Sequence, residues 1–359
     1  MVLSSNKIKV VKIKLAKVKY LIRHYVVFFV IIIFYSCHDD RIKPEFDLNS
    51  ISESLLEIDN DSAISLANKS LDLNLGYEHD YYSHFLISYA YKEKNDFIRS
   101  LKHLLLASDK IPINEKFNSN RTSINKNIGR IIERYSEYDL SLKYYQQALK
   151  YVDERQKSGL LLNIGHVLKE KDELEEAAKT YLNALNLAIK YNQLTRKAMI
   201  SNQLALVRIR IGKYESARNL LFSIISDDKI PKYKKYAGRA YHNIGHSFME
   251  QRNYKESIKI YKKALKFKET ESEKFVSLMD IGQSFNQLGI YDSALVYLEL
   301  GAKYYQSHPQ LPKNFSVYKY LQNSSINLGN IDQSQNYLNL YFKENDSFEK
   351  RKNRINEIN

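Results

Sequence analysis

Between residues 81 and 345 the apolar positions fall three and four apart, the spacing that gathers side chains on one stripe of an α-helix. The stripe also recurs at long range. Aligning Ser100, Ser141, Ala177, Ala217, Ser257, Ala294 and Ser334 gives spacings of 41, 36, 40, 40, 37 and 40 residues. Three residues before each of these stands an aromatic or aliphatic residue such as Phe97, Tyr138 or Tyr254. Four residues after it comes a Leu or Tyr, such as Leu104, Tyr145, Tyr181 or Tyr261. Twelve residues before it stands a small residue in six of seven copies, namely Ser88, Gly129, Gly165, Ala205, Gly245 and Gly282, with Gln322 the exception. That small residue belongs to a preceding helix, so each unit is predicted to be a helical hairpin. The small residues let two helix axes approach, and the large ring or Leu beside them fills the groove that is left.

This order of small and aromatic positions resembles the tetratricopeptide repeat family, most closely in Asn243-Ile244-Gly245 with Tyr254, Ser257, Tyr261 and Ala264. Seven copies cover residues 81–345, and a weaker eighth precedes them with Ala63, Ala67 and Ser70 in its second helix. The resemblance implies an all-α fold, a right-handed α-α superhelix of seven to eight hairpins over residues 47–345. Glycine and proline positions agree. Gly129, Gly165, Gly245 and Gly282 take the close-packing site, Gly212, Gly289 and Gly329 the turn inside the hairpin, and Gly301 the last small site. Pro112, Pro231, Pro309 and Pro312 fall between repeats, where a helix must stop. The family's period is about 34 residues. The longer units here imply longer second helices or longer links.

Composition narrows the function. With 11 Gly and 5 Pro in 359 residues, a turn-rich all-β fold and a Gly-rich phosphate-binding enzyme are both disfavoured. The net charge of +14 divides unevenly, because residues 1–36 hold seven Lys and Arg and no acid, leaving +7 for the rest. That mild excess is spread rather than clustered, which argues against a nucleic-acid partner. The single cysteine, Cys37, excludes a disulfide framework and the paired-cysteine zinc sites.

The basic start is followed by an unbroken apolar run from Tyr25 to Tyr35. Eleven residues suit the core of an export signal, whereas a membrane span needs about 20. Ser36 and Cys37 at its end resemble the lipobox of bacterial lipoproteins, which implies that Cys37 carries the lipid; the alternative is an uncleaved membrane anchor or a buried free cysteine. His38, Asp39 and Asp40 resemble the acidic start that some bacteria use to sort lipoproteins to the surface. The expected organisation is therefore a signal peptide at 1–36, a tether at 37–46, the repeat array at 47–345 and a charged capping tail at 346–359. The expected location is the cell envelope, on the membrane.

In repeats of this family that grip peptides, ligands lie along the first helices. Carried onto this sequence, the binding positions are Asn127, Arg130 and Arg134; Asn163 and His166; Asn202; His242, Asn243, His246 and Glu250; and Asp280, Gln283 and Gln287. An Asn ladder of Asn127, Asn163 and Asn243 offers donor and acceptor together and could pair with a ligand's backbone. Arg130 and Arg134, one turn apart, could hold a carboxylate. His242, His246 and Glu250 share a stripe, but no third His or Cys lies near them in sequence, so the expectation is no metal and no cofactor. No G-x-S-x-G, H-E-x-x-H, Walker A or G-x-G-x-x-G occurs, and no catalytic residue is proposed. The reading is a lipid-anchored module binding a protein or peptide. Its alternative is the ligand-sensing domain of a kinase- or regulator-type signalling system.

Overall fold

The structure is a computed structural model, and it describes residues 59–73, 76–267, 271–307 and 316–358. The signal segment, Cys37, the tether, Pro309 and Pro312 lie outside the described residues. Among those described there are 15 α-helices, one 3-10 turn and no strand. The chain divides into two compact units between Val152 and Asp153.

The first unit holds α1 (Asn60–Asp72), α2 (Tyr77–Glu93), α3 (Phe97–Lys110), α4 (Asn118–Arg134) and α5 (Tyr138–Leu149). Helix α1 buries Ala63 and Ala67, as the second helix of a preceding repeat should. Helices α2 with α3, and α4 with α5, pack as hairpins. Their shared core includes Tyr81, Phe85, Leu104, Phe117, Ile124 and Ile128.

The second unit holds α6 (Glu154–Glu170), α7 (Leu174–Lys190), α8 (Leu194–Arg210), α9 (Tyr214–Ile225) and α10 (Tyr233–Glu250). It continues with α11 (Tyr254–Leu265), α12 (Glu271–Gln287), α13 (Tyr291–Ser307), α14 (Ser316–Asn327) and α15 (Ile331–Ile358). Each odd-numbered helix packs on the even-numbered helix before it and, where another follows, on the one after, and α8 also packs on α6 and α10. The last helix runs unbroken through the charged tail to Ile358.

The small residues work as close contacts. A Cβ added to Gly129 would lie 2.9 Å from the Tyr145 ring, and at Gly165 and Gly245 it would lie 2.7 Å from Tyr181 and Tyr261. At Gly282 it would lie 2.5 Å from Leu298. Tyr145, Tyr181 and Tyr261 are fully buried. Where the first helix carries Ala205 or Ser88 instead of glycine, the second helix offers the smaller Leu221 or Leu104. Volume is thus traded across the hairpin in five of these six pairs, and Gly282 with Leu298, small on both sides, is the exception. Gln322, the exception, donates from Nε2 to Ser334 Oγ at 3.2 Å. Its polar end is satisfied there, as the Ser88 hydroxyl is by donating to the Phe85 carbonyl at 2.6 Å.

All seven hairpin turns place one residue in the left-handed region at the same register. Gly212, Gly289 and Gly329 do so with φ of 77°, 71° and 77°. Asn95, Ser136, Asp172 and Arg252 do so with φ of 60°, 62°, 66° and 59°. The residue after it commonly closes the helix end with a six-residue hydrogen bond, such as Lys213 N–H to the Arg208 carbonyl at 2.7 Å or Asn253 N–H to the Phe248 carbonyl at 2.9 Å. A side chain in this conformation costs about 1–2 kcal/mol, and glycine pays part of that back as backbone entropy. Arg252→Gly is therefore expected to stabilise the protein by about 0.5–1 kcal/mol. Gly212→Ala should destabilise it, and thermal melts followed by circular dichroism check both signs.

The surplus over the family's period is built in two ways. Helices α7 and α13 each run to 17 residues, whereas α5, α9 and α11 stop at 12. After α9 the extra length sits instead in the link at 226–232, and after α3 in the link at 111–117, which contains the 3-10 turn Glu115–Phe117. Pro231 and Pro112 lie in those links.

Candidate ligand-binding face

The first helix of each hairpin turns its small residue onto the second helix, so positions two before, one after and five after the small residue lie on other parts of its surface. In the first unit, α4 carries Asn127 half-buried and Arg130 and Arg134 exposed. Arg134 does not stand free: its guanidinium lies 4.0 Å over the Phe97 ring at the start of α3. Such stacking holds the planar group while leaving its edges able to donate.

In the second unit, α6 carries Asn163 and His166, both half-buried. His166 Nε2 is 3.8 Å from Glu170 Oε1, one turn on. Helix α10 repeats this arrangement at the same register, with His246 Nε2 3.5 Å from Glu250 Oε1. Burial pushes the His246 pKa down, and the Glu250 charge opposes that only in part. The imidazole is therefore held toward its neutral form, with Nδ1 buried and lacking a hydrogen-bond partner.

Asn202 and Asn243 are placed differently from their neighbours. Both are buried, and Asn243 Nδ2 donates to Asn202 Oδ1 at 3.1 Å while Asn202 Nδ2 donates to the Ala198 carbonyl at 3.1 Å. They tie α8 to α10. The half-exposed position on α8 belongs to Gln203, whose Oε1 accepts from Lys169 Nζ at 3.4 Å. Gln203 was not singled out from sequence, although the register two before Ala205 points to it.

His242 Nε2 stands 3.5 Å from Asp280 Oδ2, and its Nδ1 is 3.4 Å from Ser277 Oγ. The His242 ring also lies 5.3 Å from the Tyr261 ring, centroid to centroid. His242 therefore joins α10 to α12, while His246 faces the carboxylate on its own helix. Further along, Gln283 hydrogen-bonds the Tyr320 side chain, and Asn286 Nδ2 donates to the Tyr320 carbonyl at 2.9 Å. Burial raises the Tyr320 pKa, Asp280 adds to the rise and Gln283 opposes it. Gln287 is exposed. Among the described residues, no group of three His, Cys, Asp or Glu is placed to hold a metal ion.

Within the second unit the polar residues of the first helices thus divide into two sets. Asn202, Asn243, His242, Asp280 and Gln283 link one helix to another. Asn163, His166, His246, Glu250 and Gln287 keep part of their surface open. The sequence also left unremarked a histidine pair in the first unit, His84 with His103, which the hairpin brings together from α2 and α3.

The model of the tetratricopeptide repeat family matches residues 158–188 and 238–271, the hairpins around α6–α7 and α10–α11. The chain carries tetratricopeptide repeats. By sequence, no curated protein matches it. Among solved structures, a tetratricopeptide repeat protein from Parabacteroides merdae is similar at 18% identity, with a TM-score of 0.55 over 75% of this chain and 93% of that one. The apo form of RapI is similar at 14% identity, with a TM-score of 0.62 over 86% and 89% of the two chains. A Rap protein complexed with competence and sporulation factor is similar at 16% identity, with a TM-score of 0.56 over 82% and 85%. At these identities the likeness is one of fold. It agrees with the tetratricopeptide hairpins seen in each unit.

Proposed function

We propose that this tetratricopeptide-repeat chain is an interaction module that binds a protein or peptide segment along the first-helix faces of its repeats. The reading adds that it works outside the cytoplasm, held at the membrane by a lipid on Cys37. The observation that carries the binding part is the recurrence of part-open polar side chains at one register of the first helices. In the second unit His166 and Glu170 supply it on α6, and His246 and Glu250 on α10; in the first unit, taken by itself, Arg130 and Arg134 hold the same register on α4. Donors and acceptors fixed at the pitch of the repeats suit an extended chain, whose own polar groups recur regularly. No catalytic constellation is invoked.

A second reading takes the module as the sensing part of a signalling system. It is favoured by the likeness to the Rap protein solved with competence and sporulation factor. The anchor rests on the apolar run before Cys37, which is too short to cross a bilayer. A single acyl chain contributes about 0.8 kcal/mol per buried CH₂ and holds only marginally, so durable attachment needs two or three chains.

Crosslinking in intact cells followed by recovery of the full chain tests both parts. Wild type is expected to retain a stoichiometric protein partner, and Arg130→Glu with Arg134→Glu to lower its recovery at least tenfold while the thermal melt stays unchanged. Equal recovery with the charges reversed would remove the first-helix face of α4 from the binding surface. Labelling with radioactive palmitate should vanish in Cys37→Ser, and persistence of the label would refute the anchor.

A further inference from the structure

In the first described hairpin, His84 on α2 and His103 on α3 point their Nδ1 atoms at one another across 3.2 Å. The rings are 5.3 Å apart between centroids and tilted by 49°. Both are half-buried. Tyr91 stacks on the outer face of His103 at 5.8 Å, and Arg99 lies 5.1 Å over Tyr91 in turn, so the His103 ring is held from behind. One turn before His84 on α2 stands Asp80, with Oδ2 3.5 Å from Lys110 Nζ.

Two nitrogens facing each other this closely have two uses. One imidazole can donate its Nδ1 proton to the other, or both can turn lone pairs on a third atom between them. A tetrahedral ion with bonds of about 2.0–2.1 Å sets its nitrogen ligands about 3.3 Å apart, and a square-planar one sets adjacent ligands about 2.9 Å apart. The observed 3.2 Å fits a hydrogen bond between the rings and is also close to the tetrahedral spacing, so a small turn of each ring would admit an ion. Burial lowers both pKa values, that of His103 to about 4; at His103 the charges of His84 and then Lys102 add to the fall, and at His84 Asp80 opposes it while Lys110 adds to it.

We propose that His84 and His103 form a two-histidine site for a tetrahedral divalent ion, zinc first, with both Nδ1 atoms as ligands. Among the described residues no third His, Cys, Asp or Glu completes a ligand set, so the remaining positions belong to water or to a donor brought by a partner. The affinity expected of two imidazoles is micromolar rather than structural. The ion would bridge α2 and α3 and stiffen the hairpin without being needed to fold it. His242 and His246 do not offer the same arrangement, since each is paired with a different carboxylate.

The test is titration of ZnCl₂ into the full chain, freed of metal, at pH 7.5, read by calorimetry. Wild type should bind one ion that His84→Gln and His103→Gln each weaken at least tenfold, while His242→Gln leaves it unchanged. Equal affinity in wild type and in both variants overturns the site, as does an ion lost only in His242→Gln. Should either variant fail to melt cooperatively, nitrogen NMR of wild type labelled at histidine decides. Added zinc must then move two Nδ1 resonances to metal-bound positions and fix both rings as the Nε2–H tautomer. Unmoved resonances would leave the pair as a hydrogen bond and nothing more.

Discussion

Gly245→Ala is expected to destabilise the protein by about 2 kcal/mol, and adding Tyr261→Leu to recover most of that loss. The added methyl would sit 2.7 Å from Cδ1 and 2.8 Å from Cε1 of a tyrosine ring that is fully buried. Neither wall can yield cheaply. Helix propensity works the other way, because alanine is favoured over glycine by about 1 kcal/mol in a helix interior, so the measured cost is the clash less that gain. Tyr261→Leu alone should also destabilise, by about 1–2 kcal/mol, since it removes ring volume from a packed core. The two changes should not add. The chain already contains the combination, one repeat earlier, as Ala205 with Leu221. A double-mutant cycle in chemical denaturation is expected to give a coupling of at least 1 kcal/mol. Additive losses would mean that the glycine is there for some reason other than the ring.

The second large effect concerns the buried asparagine pair. Asn243→Ala removes the donor that satisfies Asn202 Oδ1, leaving a carbonyl oxygen unpaired in a residue only 6% exposed. Stranding a buried polar atom costs about 1–3 kcal/mol, and the lost packing adds to it. The double variant Asn202→Ala with Asn243→Ala strands no amide partner. It should therefore be less destabilised than the sum of the singles, by about 1 kcal/mol. The same measurement bears on function. If the pair serves to fasten α8 to α10, the melting temperature falls and binding of the protein partner per folded molecule does not. A loss of binding with the melt unchanged would instead put Asn243 in the binding face.

Much of this architecture was legible before any coordinates. The spacing of Ser100, Ser141, Ala177 and their counterparts already implied hairpins, and the glycines twelve residues earlier implied close helix contacts. These are properties of short stretches of chain, where the helical period decides which side chains share a face. The turns were read only in part. Gly212, Gly289 and Gly329 announce a left-handed residue by being glycine, whereas Asn95, Ser136, Asp172 and Arg252 adopt the same conformation because the two helices they join require it. Asn95 and Asp172 carry a weaker sign, since Asn and Asp tolerate this region better than other side chains, whereas Ser136 and Arg252 carry little.

The polar face was less legible, for a different reason. Sequence register names the residues that leave a helix in a given direction, and it placed His166, Glu250 and Gln287 on the first helices. It does not say what a neighbouring helix offers them. Asn243 looks like Asn127 and Asn163 in the one-dimensional pattern and Asn202 stands one place off it, yet the two meet across α8 and α10 and are buried there. His242 finds Asp280 on α12, and Arg134 finds Phe97 on α3. His84 and His103 stand 19 positions apart and are brought within 3.2 Å by the fold of one hairpin.

The amino-acid order by itself determined that this chain makes helical hairpins, how many lie in a row, and which positions must stay small. Those follow from interactions within a few turns of helix, which the local pattern encodes. Tertiary structure alone decided which polar groups are consumed in holding helices together and which remain open. That outcome depends on distances between residues some 20 to 40 positions apart, set by packing of ring against glycine and not by any feature of the polar residues themselves.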